Sequence, residues 1–213
     1  KICYTELNVL GLVLSTTDIC IWPRHYQFED PANQITAPGI FPNHRKVVAY
    51  KLYSGAAYPD NSINSWHGTH VSCTVAGNDT ILGTSTNDGM AKDARLYVVD
   101  IDNASGGIVV STNLTPMYDT IYLGRGLSYR ILQHSGSWGW SNSTGAYLTQ
   151  DATTDAYIYA NRDFLNLYAA GNESSPRRIR NPGIAKNVVT VGALLNSTAS
   201  NTIASFSSRG YTA

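Results

Sequence analysis

The stretch HGTHVSCTVAGN, at residues 67–78, is the part of this sequence that decides its fold. Its first ten residues are mostly small, and the Gly77-Asn78 pair is a typical helix stop, so the pattern predicts a short helix over residues 67–76. Two histidines lie one turn apart, at His67 and His70. This spacing also fits a core histidine pair or a metal-binding pair, but no HExxH-type general base or obvious third ligand accompanies it.

Apolar runs on both sides of this helix predict a sheet. Residues 8–17 (NVLGLVLSTT) read as a buried strand that ends at Asp18, and residues 95–101 (RLYVVDI) read as another. Further strands are predicted at residues 47–52, 129–135, 164–170 and 188–193, and the strand at residues 188–193 is expected to be buried. Helices are predicted at residues 114–128 and 147–162. Strands that alternate with helices indicate an α/β fold, with a mostly parallel sheet and helices on both faces. We expect residues 1–213 to form a single domain, because no repeat or linker is visible.

Polar residues follow several of the predicted strands. Asp18, Ser137 and Asn172 each come after a strand candidate, and His67 opens the predicted helix. In open α/β sheets, ligands bind at the carboxyl ends of the strands. We therefore expect these four segments to meet at one edge of the sheet.

The residues around His67 resemble one family closely. The run HGTHV and the TVAGN that follows it resemble the segment with which subtilisin-like serine proteases (peptidase family S8) open the helix of their catalytic histidine. The resemblance implies a subtilisin-like fold, with His67 as general base and His70 as a structural neighbour. Residues 11–21 (GLVLSTTDICI) resemble the family's strand that ends in Asp-[Ser/Thr]-Gly, which makes Asp18 the carboxylate that orients the histidine. Taken alone, Asp18 fits a cap or turn residue equally well.

The segment SGSWG, at residues 135–139, resembles the strand and turn that line the family's substrate cleft. The resemblance implies that Ser137, Trp138 and Gly139 bind an extended peptide through main-chain hydrogen bonds. Without the resemblance, the segment is only a strand end that contains glycine.

The segment AAGN, at residues 169–172, resembles the family's oxyanion segment. By this resemblance the side-chain amide of Asn172 donates to the oxyanion, and Ala170 and Gly171 line the substrate site. Asn172 also begins an Asn-Glu-Ser sequon, which we interpret as fortuitous because a glycan there would block the cleft. The other interpretation is an ordinary asparagine in a turn.

No segment of the sequence supplies the nucleophilic serine that the resemblance requires. Residues 181–182, 185–193 (AKNVVTVGA) and 205–210 (SFSSRG) also resemble the family. Family domains then continue to a Gly-Thr-Ser-Met-Ala turn, but this sequence reaches Ala213 without one. Residues 83–85 spell Gly-Thr-Ser in the wrong place, so Ser85 is not a candidate. We therefore expect a domain truncated at its C-terminal side, with no nucleophile in the chain and improbable catalysis by these residues alone.

Three residues near the candidate site replace glycines of the family pattern: Cys20, Trp66 and Cys73, while Ile19 stands where the family has serine or threonine. Extra bulk in a packed site costs about 1–3 kcal/mol for each change. One interpretation is a copy drifting out of catalytic use. The other is compensation by a disulfide between Cys20 and Cys73.

Composition limits the partners. The formal net charge is +0 and only 14% of residues are charged, which gives no electrostatic case for nucleic acid or an anionic membrane. No apolar run approaches the roughly 20 residues of a membrane helix.

The resemblance implies a polypeptide substrate or a propeptide as partner and no cofactor. Structural calcium, common in the family, has no assignable site here.

No signal peptide is visible, so we expect the natural start upstream. Six sequons favour a secreted or endomembrane location; they begin at Asn78, Asn103, Asn113, Asn142, Asn172 and Asn196.

Three functions remain open. The chain is part of a serine-type endopeptidase whose serine lies elsewhere, a catalytically inactive homologue that binds extended peptides, or a degenerate partial gene product. The first predicts labelling by a fluorophosphonate once the serine is present. The second predicts peptide binding without turnover, and the third predicts broad melting with exposed apolar surface.

Overall fold

The computed structural model describes residues 12–19, 21–57, 66–80, 87–103, 107–141, 145–176, 178–195 and 201–210. The chain divides into two compact units. Unit 1 comprises Lys1–Val110 and Asp119–Ile131, and unit 2 comprises Ser111–Tyr118 and Leu132–Ala213. The expectation of a single domain stays a prediction.

The described residues of Lys1–Val110 in unit 1 form four strands and a short helix. The strands are β1 (Val13–Asp18), β2 (Gly39–Ile40), β3 (Val47–Leu52) and β4 (Arg95–Asp100), and the helix α1 is His67–Ala76. They lie in the order β2-β3-β4-β1. β4 pairs in parallel with both β1 and β3, whereas β2, which sequence reasoning missed, pairs antiparallel with β3. In this register Asp18 lies opposite Asp100 at the carboxyl end of the sheet.

The small residues of α1 explain how it packs. Its buried positions are Gly68, Thr69, Ser72 and Ala76, which lets the helix approach β1 closely. The Ser72 hydroxyl lies 3.1 Å from that of Thr16 on β1. The helix ends at Ala76, as predicted, and Gly77 closes it with a backbone N–H donated to the carbonyl of Cys73. The φ of Gly77 is −59°, so this stop does not use the left-handed conformation.

Unit 2 carries the strands β5 (Gln133–Gly136), β6 (Leu165–Ala169) and β7 (Val189–Val191). They are parallel and lie in the order β5-β6-β7. The helix α3 (Thr149–Ala160) connects β5 to β6, and the helix α2 (Thr115–Tyr122) precedes them in the chain. The mostly parallel α/β arrangement predicted from the sequence is confirmed.

Aromatic rings dominate the core of unit 2. The fully buried His134 lies among the rings of Tyr118, Phe164 and Tyr168. The hydroxyls of Tyr118 and Tyr168 are 2.9 Å apart, so these two polar groups satisfy each other inside the core. This packing holds β5 and β6, whose carboxyl ends carry the predicted peptide-binding segments.

Two strand predictions need correction. The strand expected at residues 129–135 begins only at Gln133 and continues to Gly136. The strand expected to be buried at residues 188–193 is β7, in which Val189 and Val191 are 46% and 48% exposed. Within the described part of unit 2, β7 pairs on one side only, with β6, so it is an edge strand rather than a core strand.

Candidate active site

Asp18 is a buried carboxylate at the last residue of β1. Its side chain is 1% exposed, and its Oδ1 lies 2.7 Å from the Nδ1 of His67. The same oxygen accepts the backbone N–H of Ile19 at 2.7 Å. Because a carboxylate only accepts hydrogen bonds, Nδ1 of His67 carries the proton in this contact. In the neutral imidazole this pairing leaves Nε2 of His67 without a proton, as a general base requires.

Gly68 brings His67 to this position. Its backbone N–H donates to the carbonyl of Ile19 at 2.8 Å. A Cβ on residue 68 would lie 2.9 Å from the Cβ of Asp18, which is too close for any side chain. The Thr69 hydroxyl accepts the backbone N–H of Trp22 at 2.8 Å, so the first turn of α1 is fastened to the segment that follows β1.

Burial and the hydrogen bond set the acidities of the pair. The hydrogen bond to Asp18 raises the pKa of His67, against the opposing effect of partial burial. Burial raises the pKa of Asp18, while the hydrogen bonds from His67 and Ile19 act in the opposite direction. The His67 side chain is 48% exposed. Water or a substrate therefore reaches the imidazole.

His70 lies one turn further along α1 and is exposed. Its backbone N–H donates to the carbonyl of Trp66, and its carbonyl accepts the hydroxyl of Thr74. Among the residues that the structure describes, no group of three His, Cys, Asp or Glu side chains is arranged to hold a metal ion. The metal-pair interpretation of His67 and His70 therefore gains no support.

The predicted peptide-binding segments leave the same edge of unit 2. Residues 137–139 follow β5 and residues 170–172 follow β6, and these strands are parallel neighbours with Gly136 opposite Tyr168. Gly171 has a φ of +109°, a conformation that strongly favours glycine, and Asn172 after it is exposed. Ala170 is buried. Asn172 therefore lies at the surface, shortly after the end of β6.

Trp138 does not offer its side chain to a ligand. The ring is buried and packs edge-on against Tyr168 and Trp140. Ser137 is half-buried and Gly139 has no side chain. The Trp138 ring thus anchors this segment in the core of unit 2. Binding of a peptide by Ser137, Trp138 and Gly139 stays a prediction.

Sequence reasoning missed a polar cluster beside Asn172. Arg180 donates to Oε1 of Glu173 from Nε and approaches it with Nη2, both at 2.7 Å. The Ser208 hydroxyl donates to the other Glu173 oxygen at 2.7 Å and accepts the backbone N–H of Glu173 at 3.1 Å. The signals available were the glutamate directly after Asn172 and the SFSSRG segment that holds Ser208.

Two of the replaced glycine positions in unit 1, Trp66 and Cys73, have different surroundings. Trp66 is half-exposed and packs its ring 5.4 Å from that of Trp22. Cys73 is a free thiol whose sulfur lies 3.4 Å from Nδ1 of His25. Because Cys73 is a free thiol, the structure does not contain the disulfide interpreted between Cys20 and Cys73. Cys20 itself and residues 83–85 lie outside the described residues.

Comparisons with known proteins identify relatives of this chain. The family model of the subtilase family matches residues 27–213. The chain is 32% identical over 192 residues to the serine protease/ABC transporter B family protein tagD of Dictyostelium discoideum, covering 86% of this chain and 10% of tagD. It is 28% identical over 210 residues to a cuticle-degrading serine protease of Arthrobotrys oligospora, covering 88% of this chain and 44% of that protein. The chain thus spans less than half the length of these relatives.

Solved structures show the same fold. A mutant of the protease domain of PatA matches with a TM-score of 0.67 at 19% identity, covering 95% of this chain and 63% of the other. A psychrophilic subtilisin-like protease from an Antarctic Pseudoalteromonas species matches with a TM-score of 0.63 at 20% identity, covering 97% and 42%. Together with the match over residues 27–213, these findings show that the chain belongs to the subtilase family.

Proposed function

We propose that this chain supplies the carboxylate and the general base of a serine-type endopeptidase, and that another stretch of polypeptide supplies the serine. Membership of the subtilase family supports serine protease function in general. The observation that carries the proposal is the 2.7 Å contact between buried Asp18 and His67. This is the arrangement in which a carboxylate fixes the tautomer of a catalytic histidine.

In the proposed reaction, Nε2 of His67 takes the proton of the serine hydroxyl as the oxygen attacks a peptide carbonyl. Asp18 then stabilises the imidazolium through Nδ1, and the buried carboxylate stays ionised. Asn172 donates its side-chain amide to the oxyanion. Its exposed place after Gly171 supports this role, and removal of one such donor typically costs about 100- to 1,000-fold in rate.

The proposed substrate is a polypeptide in extended conformation, and a propeptide would bind in the same way. The main chain of residues 137–139 would pair with it, which gives affinity with little sequence preference. None of the helices in the described ranges is long and apolar enough to cross a membrane. We also propose a secreted or endomembrane location, which rests on the six sequons.

A fluorophosphonate probe tests the proposal, since it bonds covalently to an activated serine. We expect no labelling of the 213 residues alone, and labelling of a longer natural polypeptide that contains them together with a Gly-Thr-Ser-Met-Ala segment. Asp18→Asn should reduce turnover by about 10⁴-fold. His67→Ala should abolish labelling, whereas His70→Ala, one turn along the same helix, should retain it. Labelling that survives His67→Ala would contradict the proposal.

A second candidate is an inactive homologue that binds extended peptides. It is favoured by one observation: Trp66 stands directly before the candidate base His67, where the family pattern has glycine. Both candidates predict that a peptide perturbs the backbone amide signals of residues 137–139. They differ in the labelling experiment, because the inactive homologue stays unlabelled in the longer polypeptide.

A further inference from the structure

Arg180 fills the space between the two predicted peptide-binding segments of unit 2. A Cβ built on Gly139 would lie 2.9 Å from the Cβ of Arg180, and one built on Gly171 would lie 2.9 Å from its Cγ. The aliphatic stem therefore packs against both glycines at once. These contacts also explain why residues 139 and 171 carry no side chain.

The guanidinium group of Arg180 is hydrogen-bonded to residues at both segments. Its Nη1 donates to the carbonyl of Gly139 at 3.3 Å, while Nε donates to Glu173 at 2.7 Å. Glu173 is fastened in turn by the Ser208 hydroxyl and by the backbone N–H that it donates to Ser208. Hydrogen bonds from Ser208 and Arg180 lower the pKa of Glu173 despite its burial. The charges of Arg180 and Glu173 thus compensate each other across this space.

We propose that Arg180, held by Glu173 and Ser208, determines specificity by closing this space to all but small, uncharged side chains of a bound peptide. The proposal rests on the proposed peptide-binding function. Consider the peptide residue whose carbonyl accepts a hydrogen bond from the Asn172 side-chain amide. In the proposed complex, its side chain lies next to the neighbours of Asn172, namely Gly171 and Glu173. Glycine or alanine fits there without moving Arg180, and a larger side chain has to displace it.

Charge and burial make this displacement unfavourable. The Arg180 and Glu173 side chains are only 35% and 15% exposed, so separating them would leave Glu173 partly buried without its counter-ion. An acidic peptide side chain would add a second carboxylate beside Glu173. A lysine would add a second cation beside Arg180. Neutral small residues avoid all three costs.

Peptide binding to the 213-residue chain tests the proposal. The probes are fluorescein-labelled, alanine-rich hexapeptides. In each peptide one position carries Ala, Phe, Asp or Lys, and this variable position is moved along the peptide from one set to the next. Fluorescence anisotropy gives Kd for the wild type, for Arg180→Ala and for Arg180→Met, which keeps most of the stem but not the charge. Arg178→Ala is the matched control, because it removes a nearby arginine from the same stretch of chain.

We expect the wild type to bind the Ala peptide roughly tenfold or more tightly than the Phe peptide at the position that faces Asn172. Arg180→Ala should remove or invert this ratio. Arg180→Met should keep the exclusion of Phe and bind the Asp peptide more weakly still. Arg178→Ala should behave as the wild type. Equal binding of Ala and Phe by the wild type, or an unchanged ratio in Arg180→Ala, would overturn the proposal.

A second measurement works without peptide binding. Addition of p-cresol, a small aromatic probe, should shift the backbone amide signals of Gly139 and Gly171 in Arg180→Ala and leave the wild type unchanged. If no peptide binds any variant, the proposed function fails, and the p-cresol result alone decides whether Arg180 closes the space. If p-cresol shifted the Gly139 and Gly171 signals in both proteins, or in neither, Arg180 would not be what closes the space between these two residues. If Arg180→Ala does not fold, Arg180→Ser replaces it in both measurements.

Discussion

The Nδ1 atom of His67 lies 2.7 Å from Oδ1 of Asp18, although the two residues are 49 positions apart in the sequence. The carboxylate is buried at the end of β1, and the imidazole is half-exposed at the start of α1. A buried acceptor thus fixes the orientation of a ring whose other nitrogen reaches solvent. This relationship gives rise to the first two predictions.

Removal of the Asp18 charge should lower the pKa of His67. The hydrogen bond to Asp18 is the largest cause of its raised pKa, so Asp18→Asn should bring it back towards the ordinary value. NMR titration of the imidazole signals measures this change. His70→Ala, which leaves Asp18 in place, is the control and should not alter the His67 titration. An unchanged pKa in Asp18→Asn would show that the contact is absent in solution.

The sign of the accompanying stability change follows from the same shift. Because the folded-state pKa of His67 is raised, its contribution is complete below the unfolded pKa and is lost as pH rises through the folded pKa. The Asp18→Asn variant should lack this loss. Urea unfolding of both proteins between about pH 5 and pH 9 compares the two profiles.

Gly68→Ala should destabilise unit 1 by about 1–3 kcal/mol, since the new methyl group would meet the backbone of Ile19 and the Cβ of Asp18. Chemical denaturation measures the free energy of unfolding. Gly210→Ala is the matched control, because the atom nearest to its Cβ would be Ile179 Cδ1 at 3.5 Å, an ordinary contact. We expect that control to change stability by no more than about 0.5 kcal/mol. Equal effects at both positions would rule out the close approach.

His134 should make unit 2 sensitive to acid. Complete burial among aromatic rings lowers its pKa to about 3, whereas the ordinary value is 6.5. The unfolded chain therefore binds a proton that the folded chain refuses, and stability is lost as pH falls from about 6.5 towards 3, by up to about 1.4 kcal/mol per pH unit. Unfolding free energies across this range should fall less steeply for His134→Phe. His70→Phe, at an exposed position of α1, is the control and should lose stability with falling pH as steeply as the wild type. If the wild type and His134→Phe lose stability equally steeply, His134 is not the source of the acid sensitivity.

Cys73 should react slowly with thiol reagents in the folded protein. Burial raises the pKa of its thiol to about 12, so little thiolate is present at pH 8. We expect the native rate to be at least roughly tenfold below that of the urea-unfolded chain. Alkylation followed by peptide mass spectrometry assigns the rate to Cys73 among the three cysteines. Equal native and unfolded rates would show that the thiol is accessible.

The sequence by itself determined the elements whose signals are local. The ten residues of α1, the apolar strands that end at Asp18 and Asp100, and the AAGN segment all carry their pattern within a dozen residues. Asp18 and His67 were selected as partners by the resemblance of their segments to the subtilisin-like family, not by a local pattern alone. Helix stops and apolar runs act over short distances, which is why these features could be predicted.

Only the tertiary structure decided which side chains meet and which face water. Arg180 and Ser208 reach Glu173 from 7 and 35 residues away, a convergence that no local pattern encodes. Nor does composition reveal that the ring of Trp138 enters the core while β7 lies at an edge. Burial depends on what packs from distant parts of the chain. The sequence therefore identified the Asp18 and His67 segments, but only the fold brings Asp18 within 2.7 Å of His67 and sets Arg180 between Gly139 and Gly171.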